Sequence, residues 1–121
     1  SPDFERFGEI YFSCVRAGAV KAWRRHRVMT VNLAVVSGAV QVVAADGRAA
    51  GSEPAAVFET VLSPDGAYAL LTIPPGVWYG FRGVASGESV LANCSTHPHD
   101  PAEIERLPQD DPVIPYRWPP A

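Results

Sequence analysis

Gly18-Ala19-Val20-Lys21-Ala22-Trp23-Arg24-Arg25-His26 and, further along, Ile73-Pro74-Pro75-Gly76-Val77-Trp78-Tyr79-Gly80-Phe81 are the two stretches on which the fold turns. Each couples a glycine turn to a run rich in aromatic and β-branched residues, the side chains that fit a pleated, half-buried surface. The Pro-Pro-Gly step belongs to neither a helix interior nor a central strand. Both stretches therefore read as a strand entered or left through a turn, Val20 to His26 in the first and Trp78 to Arg82 in the second. Residues two apart on a strand share a face, so Arg24 and His26 point one way and Trp23 and Arg25 the other. An inward arginine is costly unless it meets an anion, a carboxylate or a ligand.

The same reading extends along the chain. Short runs rich in Val, Ile, Tyr, Phe and Trp place further strands near Glu9 to Val15, Asn32 to Val36, Val40 to Ala44, Val57 to Leu62, Ala67 to Ile73 and Ser89 to Cys94. Ala17-Gly18, Ser37-Gly38, Asp46-Gly47, Pro64-Asp65-Gly66, Pro74-Pro75-Gly76 and Ser86-Gly87 mark the turns between them. Many short strands at near-regular spacing mean an all-β sandwich or barrel. The polar, small-residue segment Gly47 to Pro54 reads as a loop. A single helical turn is expected at Asp100-Pro101-Ala102-Glu103, which has a capping Asp, Pro at the first helical position and an acid three after the cap. It is expected to end by Leu107. The rest, 108–121, is an extended tail whose Tyr116 and Trp118 pack on the barrel or on a second subunit.

With 121 residues, the chain suits one domain with a real core. Its 47% hydrophobic and 19% charged content is that of a packed protein rather than a disordered one. Ten Lys and Arg against 13 Asp and Glu leave a net charge of -3, which provides no field for nucleic acid. The local cluster Lys21, Arg24, Arg25 and Arg27 is still suited to one anionic ligand. No apolar run approaches the roughly 18 residues of a membrane span, and the first residues lack a signal-peptide pattern, so a soluble, cytoplasmic protein is expected. Cys14 and Cys94 sit in apolar strands and read as buried reduced thiols, a disulfide requiring the two strands to be neighbours.

The spacing of the two opening stretches resembles the cupin superfamily. There, the first motif runs Gly, five residues, His-x-His, three or four residues, Glu, six residues, Gly, and the second runs Pro-x-Gly, two residues, His. Counting from Gly18 puts Arg24 at the first His, His26 at the second, Thr30 or Val31 at the Glu and Gly38 at the closing Gly. Pro74 and Gly76 put Tyr79 at the third His. With one of four ligand positions kept, no metal is expected, nor any other cofactor. Within the cupins the chain resembles the dTDP-4-dehydrorhamnose 3,5-epimerase group. Lys21-Ala22-Trp23, Val35-Val36-Ser37-Gly38, the Pro-Pro-Gly stretch and the closing Asp110-Asp111-Pro112-Val113-Ile114-Pro115-Tyr116-Arg117-Trp118 carry the likeness over nearly the whole length. It implies a single cupin domain, an all-β jelly-roll barrel over about 8–96 with one C-terminal helical turn over 100–107.

The resemblance also implies proton transfer beside a sugar ketone. An ungapped match puts Arg24 at the family's base and Ala92 or Asn93 near its acid, a Tyr, while the Asp that partners the base belongs to a C-terminal extension without counterpart in this chain. Guanidinium is almost always protonated and makes a poor base. The remaining trio, Arg24, His26 and Tyr79, suits binding of an oxyanion or enolate with His26 moving a proton. Lys21 is a candidate for a diphosphate, and Asn32 and Asn93 for further ligand contacts. His97 and His99 have metal-pair spacing but are separated by Pro98; Asp110 and Asp111 read as a solvated turn.

The implied function is a metal-independent epimerase or isomerase on a sugar nucleotide or related small carbonyl metabolite, working as a homodimer in polysaccharide or specialised metabolism. The alternatives are a non-catalytic binding or assembly module and a cyclase or dehydratase.

Overall fold

The computed structural model describes residues 8–46, 56–66, 70–98 and 100–120. The expected loop Gly47 to Pro54, the start of the strand expected from Ala67, and His99 lie outside them, as does the segment before Gly8. In chain order the strands are β1 (Glu9–Val15), β2 (Val20–His26), β3 (Val31–Ser37), β4 (Val40–Asp46), β5 (Ala56–Leu62), β6 (Leu71–Ile73), β7 (Val77–Gly83), β8 (Ser89–Ser95) and β9 (Ile104–Arg106). They form two antiparallel sheets, a four-stranded one in the order β1-β8-β3-β6 and a five-stranded one in the order β5-β4-β7-β2-β9. This is the all-β jelly-roll arrangement expected.

The main core lies between the sheets. Val15, Leu33, Leu91, Val42, Tyr79 and Phe81 pack there from alternate positions of their strands, the period-two pattern of a buried sheet face. A second cluster covers the outer face of the five-stranded sheet, where Trp23, Val43, Ala45 and Trp78 meet Ile114 and the aromatic tail residues Tyr116 and Trp118. The tail thus packs back on its own barrel. Gly80 permits the fit, because a Cβ there would lie 2.4 Å from the Ala22 Cβ and 3.0 Å from Trp118.

The two opening stretches are fastened to each other. Gly76 adopts φ 87, the left-handed conformation that glycine enters without a steric cost, and its amide donates to the His26 carbonyl at 2.8 Å. The turn before β7 is therefore held at the end of β2. Between Lys21 and Arg24 the β2–β7 register shifts, after which Arg24 pairs with Tyr79.

Two expectations change. The helical turn is shorter than expected, a 3-10 turn over Pro101–Glu103, with the Asp100 carboxylate accepting from the Ala102 amide at 3.0 Å as anticipated. The following residues form β9, because β2 presents an open edge and Ile104, Glu105 and Arg106 pair with His26, Arg25 and Arg24. The cysteines are free, Cys14 exposed and Cys94 half-buried. Their strands are neighbours, but Cys14 faces Val90 and Cys94 faces Ile10, so no disulfide register exists. Neither side chain points into the core, because an apolar strand sequence does not by itself specify which face is covered.

Candidate functional site

The site begins at the end of β2. His26 and Glu103 are both buried, with His26 Nδ1 2.5 Å from Glu103 Oε1. The other carboxylate oxygen accepts from the backbone amides of Arg27, Val28 and Met29 at 3.1, 3.1 and 3.3 Å. Burial alone would raise the Glu103 pKa; the hydrogen bond from His26 and those from Val28 and Met29 outweigh it and hold it below the ordinary 4.5. An ionised carboxylate at Nδ1 fixes the proton on that nitrogen and turns Nε2 into the accepting atom.

Nε2 meets the Tyr79 hydroxyl at 3.1 Å. Burial pushes this phenol up to about 12, despite lowering contributions from Arg24 and Asn93, so Tyr79 stays protonated and donates. Glu103, His26 and Tyr79 therefore form one relay, with the imidazole clamped at both nitrogens. Nε2 is thus engaged by the phenol, and this hydrogen bond must open before the lone pair can act on a substrate.

A cavity of about 450 Å³ opens onto this relay, lined among others by Tyr11, Arg24, His26, Asn93 and Arg106. Apolar walls come from Met29, Val31 and Ile104. Arg24 and Arg106 are direct partners across β2 and β9. Neither makes an ion pair among the described residues, where Arg25–Glu105, His26–Glu103 and Arg27–Glu105 are paired. Like charges set opposite each other destabilise a sheet, so this pair suits a bound anion better than an empty cavity. Asn93, 4% exposed, donates to the Tyr11 hydroxyl at 2.9 Å, while its Oδ1 has no partner among the described residues. A buried acceptor left open in a cavity wall suits a ligand hydroxyl.

Of the residues singled out from sequence, Arg24, His26 and Asn93 meet at this cavity. Trp23 and Arg25 take the opposite face, Trp23 beneath the tail and Arg25 over the Trp78 ring at 4.5 Å. Tyr79 sits behind His26 in the core rather than in the cavity wall. Lys21 is exposed and is not a lining residue. Asn32 lies on the outer side of β3, alternating with buried Val31 and Leu33, and accepts from the Thr72 hydroxyl at 2.6 Å. His97 bonds Thr96 instead of lining the cavity.

Three residues escaped the sequence reading. Glu103 resembled a helix-start acid, Arg106 fell within the expected helix, and Tyr11 was one aromatic among several on β1. The alternation Ile104-Glu105-Arg106 after the Pro turn was the only available sign of β9.

Among the described residues no group of three or more His, Cys, Asp or Glu is placed to hold a metal ion. With Arg24 and Tyr79 at two ligand positions and His26 engaged by Glu103, protein purified without chelator is expected to carry no stoichiometric zinc, iron or manganese. Elemental analysis checks this, and a stoichiometric metal lost on His26→Ala would contradict it. Also among the described residues, no helix is long and apolar enough to cross a membrane.

The chain and its fold have known relatives. No family model matches the chain. It is 32% identical over 111 residues to the probable low-salt glycan biosynthesis epimerase Agl13 of Haloferax volcanii, covering 89% of this chain and 70% of that protein. It superposes on a dTDP sugar isomerase from Desulfovibrio desulfuricans G20 with TM-score 0.91 and 46% identity, over 98% of this chain and 75% of the other. It also superposes on NovW, a 4-keto-6-deoxy sugar epimerase from the novobiocin biosynthetic gene cluster of Streptomyces spheroides, with TM-score 0.81 and 25% identity, over 94% of this chain and 58% of the other.

Proposed function

Because this chain belongs to the dTDP-sugar epimerase and isomerase family of cupins, we propose that it moves a proton beside the ketone of an anionic 4-keto sugar nucleotide. The observation that carries the proposal is the Glu103–His26 pair opening onto a cavity flanked by two arginines that make no ion pair among the described residues. Glu103 fixes the tautomer and orientation of His26, as a carboxylate does for a histidine base. His26 takes the proton from the carbon next to the ketone. Arg24, on the neighbouring position of the same strand face, stabilises the negative charge that develops on the ketone oxygen. Arg106 adds a second cation for the anionic end of the substrate.

The chemistry needs no metal, because the guanidinium of Arg24 is a permanent positive charge at the developing enolate. Conversion of a dTDP-4-keto-6-deoxyhexose to an epimer or positional isomer, followed by NMR, tests the reading. Tight binding without any conversion would favour a binding module instead.

The protein works, in this reading, as a cytoplasmic homodimer of single-domain barrels in glycan or specialised metabolism. The support is the outer face of the four-stranded sheet, where Ile10 and Phe12 are 50% and 62% exposed beside exposed Val36. On the other sheet the tail covers the centre of the corresponding face, over Trp23, Val43, Ala45 and Trp78. Burying such side chains contributes about 25 cal/mol per Å² of apolar surface, and a second copy has the same face to offer. Light scattering at micromolar concentration is expected to give a dimer that Phe12→Glu dissociates; a wild-type monomer would contradict it.

A further inference from the structure

We infer that Tyr11 is the second proton-transfer group of the site, acting across the cavity from His26. The inference rests on the proton-transfer reading above. Inverting a carbon beside a ketone requires one group to remove a proton from one face and another to deliver one to the opposite face. Tyr79 is unsuited to the second task, since it is buried behind His26 and bonded to the same Nε2 that acts as base.

Tyr11 has the required placement. His26 stands on β2 in the five-stranded sheet, and Tyr11 on β1 in the four-stranded sheet. Both line the same cavity, from the two facing sheets. Tyr11 is paired across the strands with Asn93, whose amide donates to the phenol oxygen at 2.9 Å. A phenol that accepts from an amide retains its own hydrogen to give, and the same amide stabilises the phenolate once that hydrogen has gone. Tyr11 is also 37% exposed, which provides solvent access for recovering the proton.

The step balances without a further reactant. His26 Nε2 takes the proton, and the C–H electron pair passes into the ketone to give an enolate. That pair then closes on the Tyr11 O–H hydrogen from the other face and restores the ketone. The phenolate regains a proton from water, and the imidazolium returns one.

The test separates removal of the proton from its delivery. With a dTDP-4-keto-6-deoxyhexose in deuterated water, Tyr11→Phe is expected to retain wash-in of deuterium at the carbon next to the ketone, since His26 is intact. Formation of the inverted product is expected to fall on the order of a hundredfold. A variant that forms inverted product at the wild-type rate overturns the inference; so does one that binds substrate and has lost wash-in too, which would put Tyr11 on the side of the base. If the wild type itself exchanges nothing, the proton-transfer reading fails and takes this inference with it, an outcome distinct from the other two. Should Tyr11→Phe fail to fold, a fluorotyrosine at position 11 substitutes. Its lower phenol pKa is expected to move the alkaline limb of kcat downward, and an unmoved limb overturns the inference.

Discussion

His26→Ala lowers turnover by on the order of a hundredfold or more while substrate still binds, because the general base is removed and the cations that hold the substrate remain. Arg24 and Arg106 line the cavity from their own backbone positions, and neither bonds to the imidazole. The loss is therefore expected in kcat, with little change in Kd measured by calorimetry. Undiminished turnover in this variant would remove His26 from the chemistry. A large loss of affinity with kcat preserved would make it a binding group.

Glu103→Ala is expected to destabilise the fold by about 3 kcal/mol, the order expected when hydrogen bonds to a charged group are removed and their buried donors are left unpaired. The carboxylate meets His26 and three backbone amides in one place, and its loss orphans all of them. The pH dependence follows from the lowered pKa. As pH falls, the unfolded chain takes up this proton first, so the contribution of Glu103 is complete above its ordinary 4.5 and is lost as pH drops through the lower folded value. Denaturant midpoints measured against pH should fall in that acid range for the wild type and fall less for Glu103→Gln. Equal slopes in the two proteins would contradict the assigned role of the carboxylate.

Much of this architecture was legible because it depends on local pattern. β1 and β2 have the bounds read from their Val, Ile, Tyr and Trp content, and the alternation in Trp23-Arg24-Arg25-His26 separated the cavity face from the tail face. The Asp100 cap was legible for the same reason, since side-chain capping acts within one turn. What stayed hidden is set by pairing between distant segments. β9 exists because β2 has a free edge, and no property of Ile104, Glu105 and Arg106 alone outweighs the helix-start signal before them. Glu103 becomes the partner of His26, and Arg106 the neighbour of Arg24, only through that pairing. Tyr79 was read into the cavity wall because strand parity gives the side of a sheet but not the depth. The cysteines and Asn32 were misplaced by the converse limit, an apolar strand being silent about which face is covered.

The central claim is that the Glu103–His26 pair takes a proton from the carbon next to a sugar ketone. Its most direct measurement is deuterium wash-in from solvent into a dTDP-4-keto-6-deoxyhexose, read by NMR at that carbon for the wild type and for His26→Ala. The claim predicts incorporation at that carbon by the wild type and none above the uncatalysed background by His26→Ala. Incorporation that is equal in the two proteins, or absent from a wild type that binds the compound, would contradict it.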